Sequence, residues 1–263
     1  YNPSGSLDNT FGTGGIVTTP IGLTDEYGLA VALQSDGKIL VAGSVMNGLE
    51  EDFLIVRYNS DGTLDNTFGV AGVAMTAIGS GEDVAYSIVV QTDGKIILAG
   101  KADNGTNFDF AAARYNSDGS LDITFDTDGM VTTIIGTGGG EAYSVALQSD
   151  GKIILGGYAS FSVTATSDDF ALVRYKSNGS LDSTFDSDGI VTTAIGTLKD
   201  EGNSVAIQTD GKIILAGHSD IGGTVAFATA RYKSNGVLDS TFDADGIATY
   251  AFVSNNSEGN SAA

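Results

Sequence analysis

One word recurs four times in this chain and heads an apolar run each time. It reads "SDGKILVAG" from Ser35, "TDGKIILAG" from Thr92, "SDGKIILGG" from Ser149 and "TDGKIILAG" from Thr209. Its lysines, Lys38, Lys95, Lys152 and Lys212, stand 57, 57 and 60 residues apart. A second word, "LDNTF" at Leu7 and Leu64, returns as "LDITF" at Leu121 and as "LDSTF" at Leu181 and Leu238. A period of this length denotes a structural unit that cannot bury its apolar surface alone and must stack on its neighbours.

Within the third copy four strand-like runs follow one another: Ser144–Gln148, Lys152–Tyr158, Phe170–Tyr175 and Gly189–Thr193. Nothing of helical period and length intervenes. Runs such as "DFLIVRY" are apolar at consecutive rather than alternate positions, so both faces of the strand must be covered. A two-sheet sandwich would alternate more cleanly, and solenoid coils use units of about 20–30 residues. The expected architecture is therefore all-β, a β-propeller of four-stranded antiparallel blades, with four full repeats and partial repeats at both ends. The units run over about 1–57, 58–114, 115–174 and 175–231, with a partial 232–263, in a single domain 1–263. The chain starts in mid-repeat and its tail "EGNSAA" resembles "EGNSVA" at Glu201, so a fragment of a longer chain is expected, with the blade number left open.

The Gly-Lys pair beside an aspartate resembles part of a phosphate-binding loop. Such a loop is single, however, and carries Ser or Thr after the Lys, where this chain has Ile. An Asp-Gly pair between apolar runs is a hairpin signal, with both central residues expected at positive φ.

Four separated motifs, "VALQSDGKIIL", "DFALVRY", "NSDGTLDNTFG" and "DGIVTT", resemble the bacterial delta-60 repeat, a propeller repeat family without an assigned general function. The resemblance spans essentially the whole chain. It implies a propeller in surface or secreted bacterial proteins and supplies no catalytic residues.

Net charge is −21, from 33 acidic and 12 basic residues, which argues against nucleic acid and anionic membrane surfaces as partners. Cysteine is absent, so no disulfide frame exists. No apolar run reaches the roughly 20 residues of a membrane helix, so no direct insertion is expected.

In an a-b-c-d meander the a–b and c–d turns share one face, which holds the near-identical words. The b–c turns and the links to the next blade share the other, which holds the unlike segments. Divergent loops on one face point to a recognition surface. Its candidate binding residues are Met46, Leu49, Asn107, Phe108, Phe161, Thr164, His218 and Ile221. Two carboxylates beside a Gly recur as Asp126 and Asp128, Asp186 and Asp188, and Asp243 and Asp245. Hard cations favour such oxygen pairs, which makes calcium a candidate, although the equivalent "FGTGG" and "FGVAG" lack both acids and Asp-Gly serves a turn by itself. No other cofactor is expected.

Arg57, Arg114 and Arg174 each follow an acid by five residues (Asp52, Asp109, Asp169), a candidate structural pairing that the fourth copy lacks at Ala226. His218 is the only histidine and is read as a variable-loop residue. The functional expectation is a non-enzymatic adhesion or recognition module, secreted or on a bacterial surface, binding a glycan or protein. One alternative is a metal-assisted hydrolase or lactonase with a channel-mouth site, where Glu141, Glu201 and Asp83 are the candidate acids. Another is a structural fibre tip or spacer, with self-association through an unpaired edge.

Overall fold

The computed structural model describes residues 1–22, 25–162 and 167–251. They form four four-stranded antiparallel sheets, each a simple meander, and these are the blades. Blade 1 holds β1 (Glu26–Leu33), β2 (Ile39–Asn47), β3 (Glu50–Tyr58) and β4 (Val73–Thr76). Blade 2 holds β5 (Asp83–Val90), β6 (Ile96–Asp103), β7 (Phe108–Tyr115) and β8 (Met130–Thr133). Blade 3 holds β9 (Gly139–Leu147), β10 (Ile153–Ser160), β11 (Asp168–Tyr175) and β12 (Ile190–Thr193). Blade 4 holds β13 (Asp200–Ile207), β14 (Ile213–Asp220), β15 (Val225–Tyr232) and β16 (Ile247–Tyr250).

The repeat period is as expected, but its frame is not. The sequence units break after the third strand, whereas each blade closes after its short fourth strand. A period fixes length and leaves phase open. The first strands also begin earlier than the unlike links suggested, so that Asp83, Glu141 and Glu201 lie within strands β5, β9 and β13.

The hairpin turn differs in type. Only Gly37, Gly94, Gly151 and Gly211 have positive φ, while the aspartate before each does not. Gly37 N–H donates to Gln34 O at 2.9 Å and Gln34 N–H to Lys38 O at 2.9 Å, closing a three-residue loop in which glycine alone is left-handed. The Asp36 carboxylate accepts Lys38 N–H at 3.2 Å, so the aspartate caps the turn instead of bending it.

Each first strand carries a β-bulge, at Leu29, Tyr86, Tyr143 and Asn203. The last glycine of the recurring word makes it fit. A Cβ on Gly43, Gly100, Gly157 or Gly217 would meet the carbonyl oxygen of Tyr27, Val84, Glu141 or Glu201 at 1.7 to 1.9 Å. The bulge brings that carbonyl onto the opposing strand and leaves its extra side chain aimed away from the ladder.

The core is a series of layers between blades. Phe53, Ile55, Ala85, Ile96 and Leu98 fill the first junction, Phe110, Val145 and Leu155 the second, and Phe170, Val205 and Leu215 the third. Packing runs from each blade to the next, and among the described residues blade 4 has no substantial contact with blade 1. Among the described residues, side chains on the two end faces of the array are more exposed than their counterparts inside it. Val31 is 68% exposed, where its equivalents Val145 and Val205 are 9% and 6%. Phe227 is 37% exposed, where Phe53, Phe110 and Phe170 are at 0%.

Replacing Gly157 by Ala should destabilise the chain by at least ~2 kcal/mol, since backbone on both sides must move. Urea unfolding followed by circular dichroism measures it; a loss of unfolding free energy below about a fifth of that size would contradict the role given to the glycine.

Candidate functional site

The two faces of the disc have separate chemistry. On the uniform face the "LDxTF" aspartate is the hub. Asp65 Oδ1 accepts Thr67 N–H at 3.0 Å and Thr67 Oγ1–H at 2.6 Å, and its Oδ2 lies 2.8 Å from Arg57 Nε and 3.5 Å from Lys38 Nζ. Asp122, Asp182 and Asp239 repeat this with Arg114 and Lys95, Arg174 and Lys152, and Arg231 and Lys212. The arginines therefore pair eight residues downstream, with Asp65 rather than Asp52. A spacing of five on a strand puts Arg57 and Asp52 on opposite faces. Asp52 and Asp109 instead accept the side-chain amides of Asn47 and Asn104, at 2.8 and 2.9 Å.

Three of the four guanidinium groups also reach across a junction. Arg57, Arg114 and Arg174 Nη1 donate to the backbone carbonyls of Ser117, Ser177 and Ser234 in the next blade. The same groups lie 4.5, 4.7 and 4.5 Å from the centres of the Phe68, Phe125 and Phe185 rings, which are fully buried. Tyrosine hydroxyls add a second tie: Tyr58 to Thr19, Tyr115 to Thr76, Tyr175 with Thr133 and Tyr232 to Thr193, at 2.5 to 2.9 Å. Lys38 is thus engaged by carboxylates, which removes the phosphate-loop reading.

The aspartates weighed for calcium belong to this face. Asp126, Asp186 and Asp243 are left-handed, with φ of 47°, 45° and 43°. Asp128, Asp188 and Asp245 each accept a backbone N–H two residues on, at 2.9 Å. Among the described residues no group of three or more His, Cys, Asp and Glu is arranged to hold a metal ion.

The b–c turns and the links gather on the opposite face, as the meander requires. Three of the expected binding residues are exposed there: Leu49 (90%), Phe161 (44%) and Ile221 (44%). Met46 is half-buried at the end of β2. Asn107 is tied down, donating to Thr137 O of the next link at 3.3 Å and accepting from Asn104 Nδ2 at 2.7 Å. Phe108 is covered by the Lys101 ammonium, 3.8 Å from its ring centre, and is not a free tip. His218 lies inside strand β14 and not in a loop, with Nε2 3.8 Å from Glu201 Oε2. Thr164 lies outside the described residues.

At the inner edge of this face the bulges create something the sequence reading missed. Tyr86 and Tyr143, extruded from neighbouring blades, meet edge to face at 5.1 Å, and Tyr143 and Tyr158 lie 5.7 Å apart. Tyr86 and Tyr158 hydroxyls donate to the two Glu141 oxygens at 3.1 Å each. Lys101 stands 2.8 Å from Glu82 and 3.7 Å from Glu141, and Lys199 lies 3.3 Å from Asp168 and 3.7 Å from Glu201. Burial, joined by the Glu141 charge, pushes all three phenols far up. Burial also pushes up Tyr115, Tyr175 and Tyr232 at the junctions. Asp83 and Asp200 are engaged differently: they accept backbone N–H groups of their own links at 2.6 to 3.1 Å. The bulged position carries Leu, Tyr, Tyr and Asn in the four copies, a variable residue inside an otherwise repeated strand, and that was the available signal.

A concavity of about 870 Å³ lies elsewhere, on the outer edge of β4 between Pro20, Ile21, Met75 and Leu121. Among the described residues no helix is long and apolar enough to cross a membrane.

A family model described as "Domain of unknown function (DUF5122) beta-propeller" matches residues 34–68, 91–125, 148–185 and 208–242. No curated protein matches. Among solved structures, a protein of unknown function from Dyadobacter fermentans DSM 18053 is similar at 11% identity and a TM-score of 0.46, over 81% of this chain and 67% of that one.

Two expectations follow. Thr67 hydrogen bonds, with the Arg57 and Lys38 charges, hold Asp65 down to about 2. At Asp122 burial pushes the other way, yet Lys95, Thr124 and Arg114 outweigh it. A carboxylate depressed in the folded state stabilises fully above its unfolded value of about 3.9, and that stability is lost as pH falls through the folded value. Asp65→Asn should therefore lower the urea midpoint at pH 6 and leave a shallower decline toward pH 2.5; equal steepness would contradict the clasp. Of the ten tyrosines, the six named as pushed up should stay un-ionised at pH 11 in the folded chain. More than four phenolates by absorbance at 295 nm before unfolding would refute it.

Proposed function

Since the chain belongs to the DUF5122 β-propeller family, whose description carries no activity, we propose from its own residues that it is a recognition module. It presents the face of the b–c turns and links to a glycan or protein on another surface. The observation that carries this reading is the segregation of divergence: the scaffold words repeat on one face, and the unlike segments collect on the other. Exposed apolar tips at Leu49, Phe161 and Ile221 stand on that face around a rim of acids. The tyrosine–carboxylate cluster inside the rim supplies aromatic faces beside hydrogen-bonding groups, a pairing suited to sugar or peptide contacts. The likeness to delta-60 repeats supports secretion or a bacterial cell surface as the setting. The reading needs no cofactor.

A hydrolytic reading would rest on Glu141 and Glu201. Both Glu141 oxygens already receive tyrosine hydroxyls, which favours recognition. Glycan-array and whole-cell binding by the intact chain provides the test, with Leu49→Ala, Phe161→Ala and Ile221→Ala combined as the variant. Binding should fall at least tenfold with an unchanged melting temperature, as expected when apolar anchors are truncated. Undiminished binding by the triple variant, or turnover of ester or glycoside substrates abolished by Glu141→Gln, would displace this function.

A further inference from the structure

On the face of the unlike segments, the link that leaves β4, the turn between β6 and β7, and strand β8 enclose a cavity of about 280 Å³. Asp109 lies in its wall at 3% exposure. Its Oδ2 accepts Asn104 Nδ2–H at 2.9 Å, while its buried Oδ1 has no hydrogen-bond partner among the described residues. An acceptor oxygen kept from water without a donor is costly, and buried charges are paired in stable folds.

Two further carboxylates adjoin it. Asp83 is fully buried and gives both oxygens to the backbone N–H groups of Ile78, Gly79 and Asp103 at 2.6 to 3.3 Å. Asp103 also lines the cavity, and its Oδ1 accepts Gly105 N–H at 2.7 Å. No lysine or arginine pairs with any of the three among the described residues. The clasp aspartates of the uniform face, by contrast, each meet an arginine and a lysine. Burial, with the Asp103 charge beside it, pushes the Asp109 carboxyl up. The fourth copy carries Ala226 where Asp109 stands, so the strand forms without this acid.

We propose that this cavity receives a lysine side chain of a protein partner, with its ammonium group on Asp109 Oδ1. The inference rests on the reading of this face as the recognition surface and gives that surface a partner class. An ammonium group brings a full charge and three N–H donors. Asp109 Oδ1 takes one, and the hydroxyl oxygens of Ser80 and Thr132 in the same wall are acceptors for the others. The Ser80 hydroxyl turns its own hydrogen to Asp103 O at 3.5 Å, which leaves the oxygen to accept. The apolar stem of a lysine packs on Ile78 and Ala102. A guanidinium is best held by both oxygens of one carboxylate, and Asn104 already occupies one of these. A hard metal ion takes about six to eight oxygen ligands, whereas both Asp83 oxygens are engaged by backbone. An amino sugar would press hydroxyls against Ile78 and Ala102, whose side chains have no partner to give them.

Heteronuclear NMR of the intact chain, titrated with the peptide acetyl-Ala-Lys-Ala-amide, tests this. The backbone amides of Ile78, Gly79 and Asn104 should shift saturably. Asp109→Asn, which keeps the shape and removes the charge, should weaken binding at least about tenfold. Should that variant fail to fold, Thr132→Val on the exposed outer strand decides, with a loss of at least about threefold expected. A trimethyl-lysine peptide keeps the charge without an N–H and should bind at least about tenfold more weakly, and an arginine peptide about threefold more weakly. Calcium chloride and methyl glucosaminide should leave the three amides in place. No saturable shift, undiminished binding by the variant, equal binding of the trimethyl-lysine or arginine peptide, or a matching response to calcium or the amino sugar would each overturn the proposal. The Leu49, Phe161 and Ile221 variant leaves this cavity intact, so the lysine site and the wider recognition reading fail by separate measurements.

Discussion

A four-stranded sheet that is apolar on both faces cannot stand alone in water, and each blade here is such a sheet. Phe110, Phe170 and Leu155 are completely buried only because another sheet lies against them. Burying one such side chain is worth about 1.5–3 kcal/mol, so each junction adds a large share of the stability that a lone blade would lack. The arginine clasp, the tyrosine–threonine tie and the phenylalanine beneath the glycine of the next turn fix the angle at which that burial occurs. They also account for most of the repeated polar residues. A charge buried as deeply as Arg114, at 5% exposure, is tolerable because a carboxylate, a carbonyl and an aromatic face all meet it.

Much of this was legible in the sequence. Consecutive apolar positions in "DFLIVRY" announced strands covered twice, and the two repeated words fixed the strand number and the assignment of faces. The aspartate and threonine of "LDNTF" were readable as local caps, because their partners lie two residues away. The arginine partners were not, since the pairing depends on the chain doubling back after β3 rather than on proximity along a strand. The second glycine of each "AG" or "GG" pair also looked like mere composition. Its cause is a carbonyl from the neighbouring strand, brought close by a bulge that no local pattern announces.

The candidate site divides in the same way. Leu49, Phe161 and Ile221 were visible as apolar letters in unlike segments, and all three are exposed. Phe108 and His218 look identical to them in sequence but are held, one under Lys101 and the other within β14 opposite Glu201. The tyrosine cluster was hidden because Tyr86 and Tyr143 sit 57 residues apart in a strand that otherwise repeats. Geometry joins them: successive blades place their first strands side by side, and the bulge turns both rings the same way. A uniform scaffold with a divergent rim can change its contacts without touching the clasp that holds it.

Amide hydrogen exchange across the intact chain tests most directly whether cover on both faces is what holds these sheets. Exchange should be slowest in β6 and β10, which lie inside blades flanked on both sides, and faster by at least tenfold in β1 and β15 at the open ends. Equal protection in all four blades, or slowest exchange in β1, would contradict it.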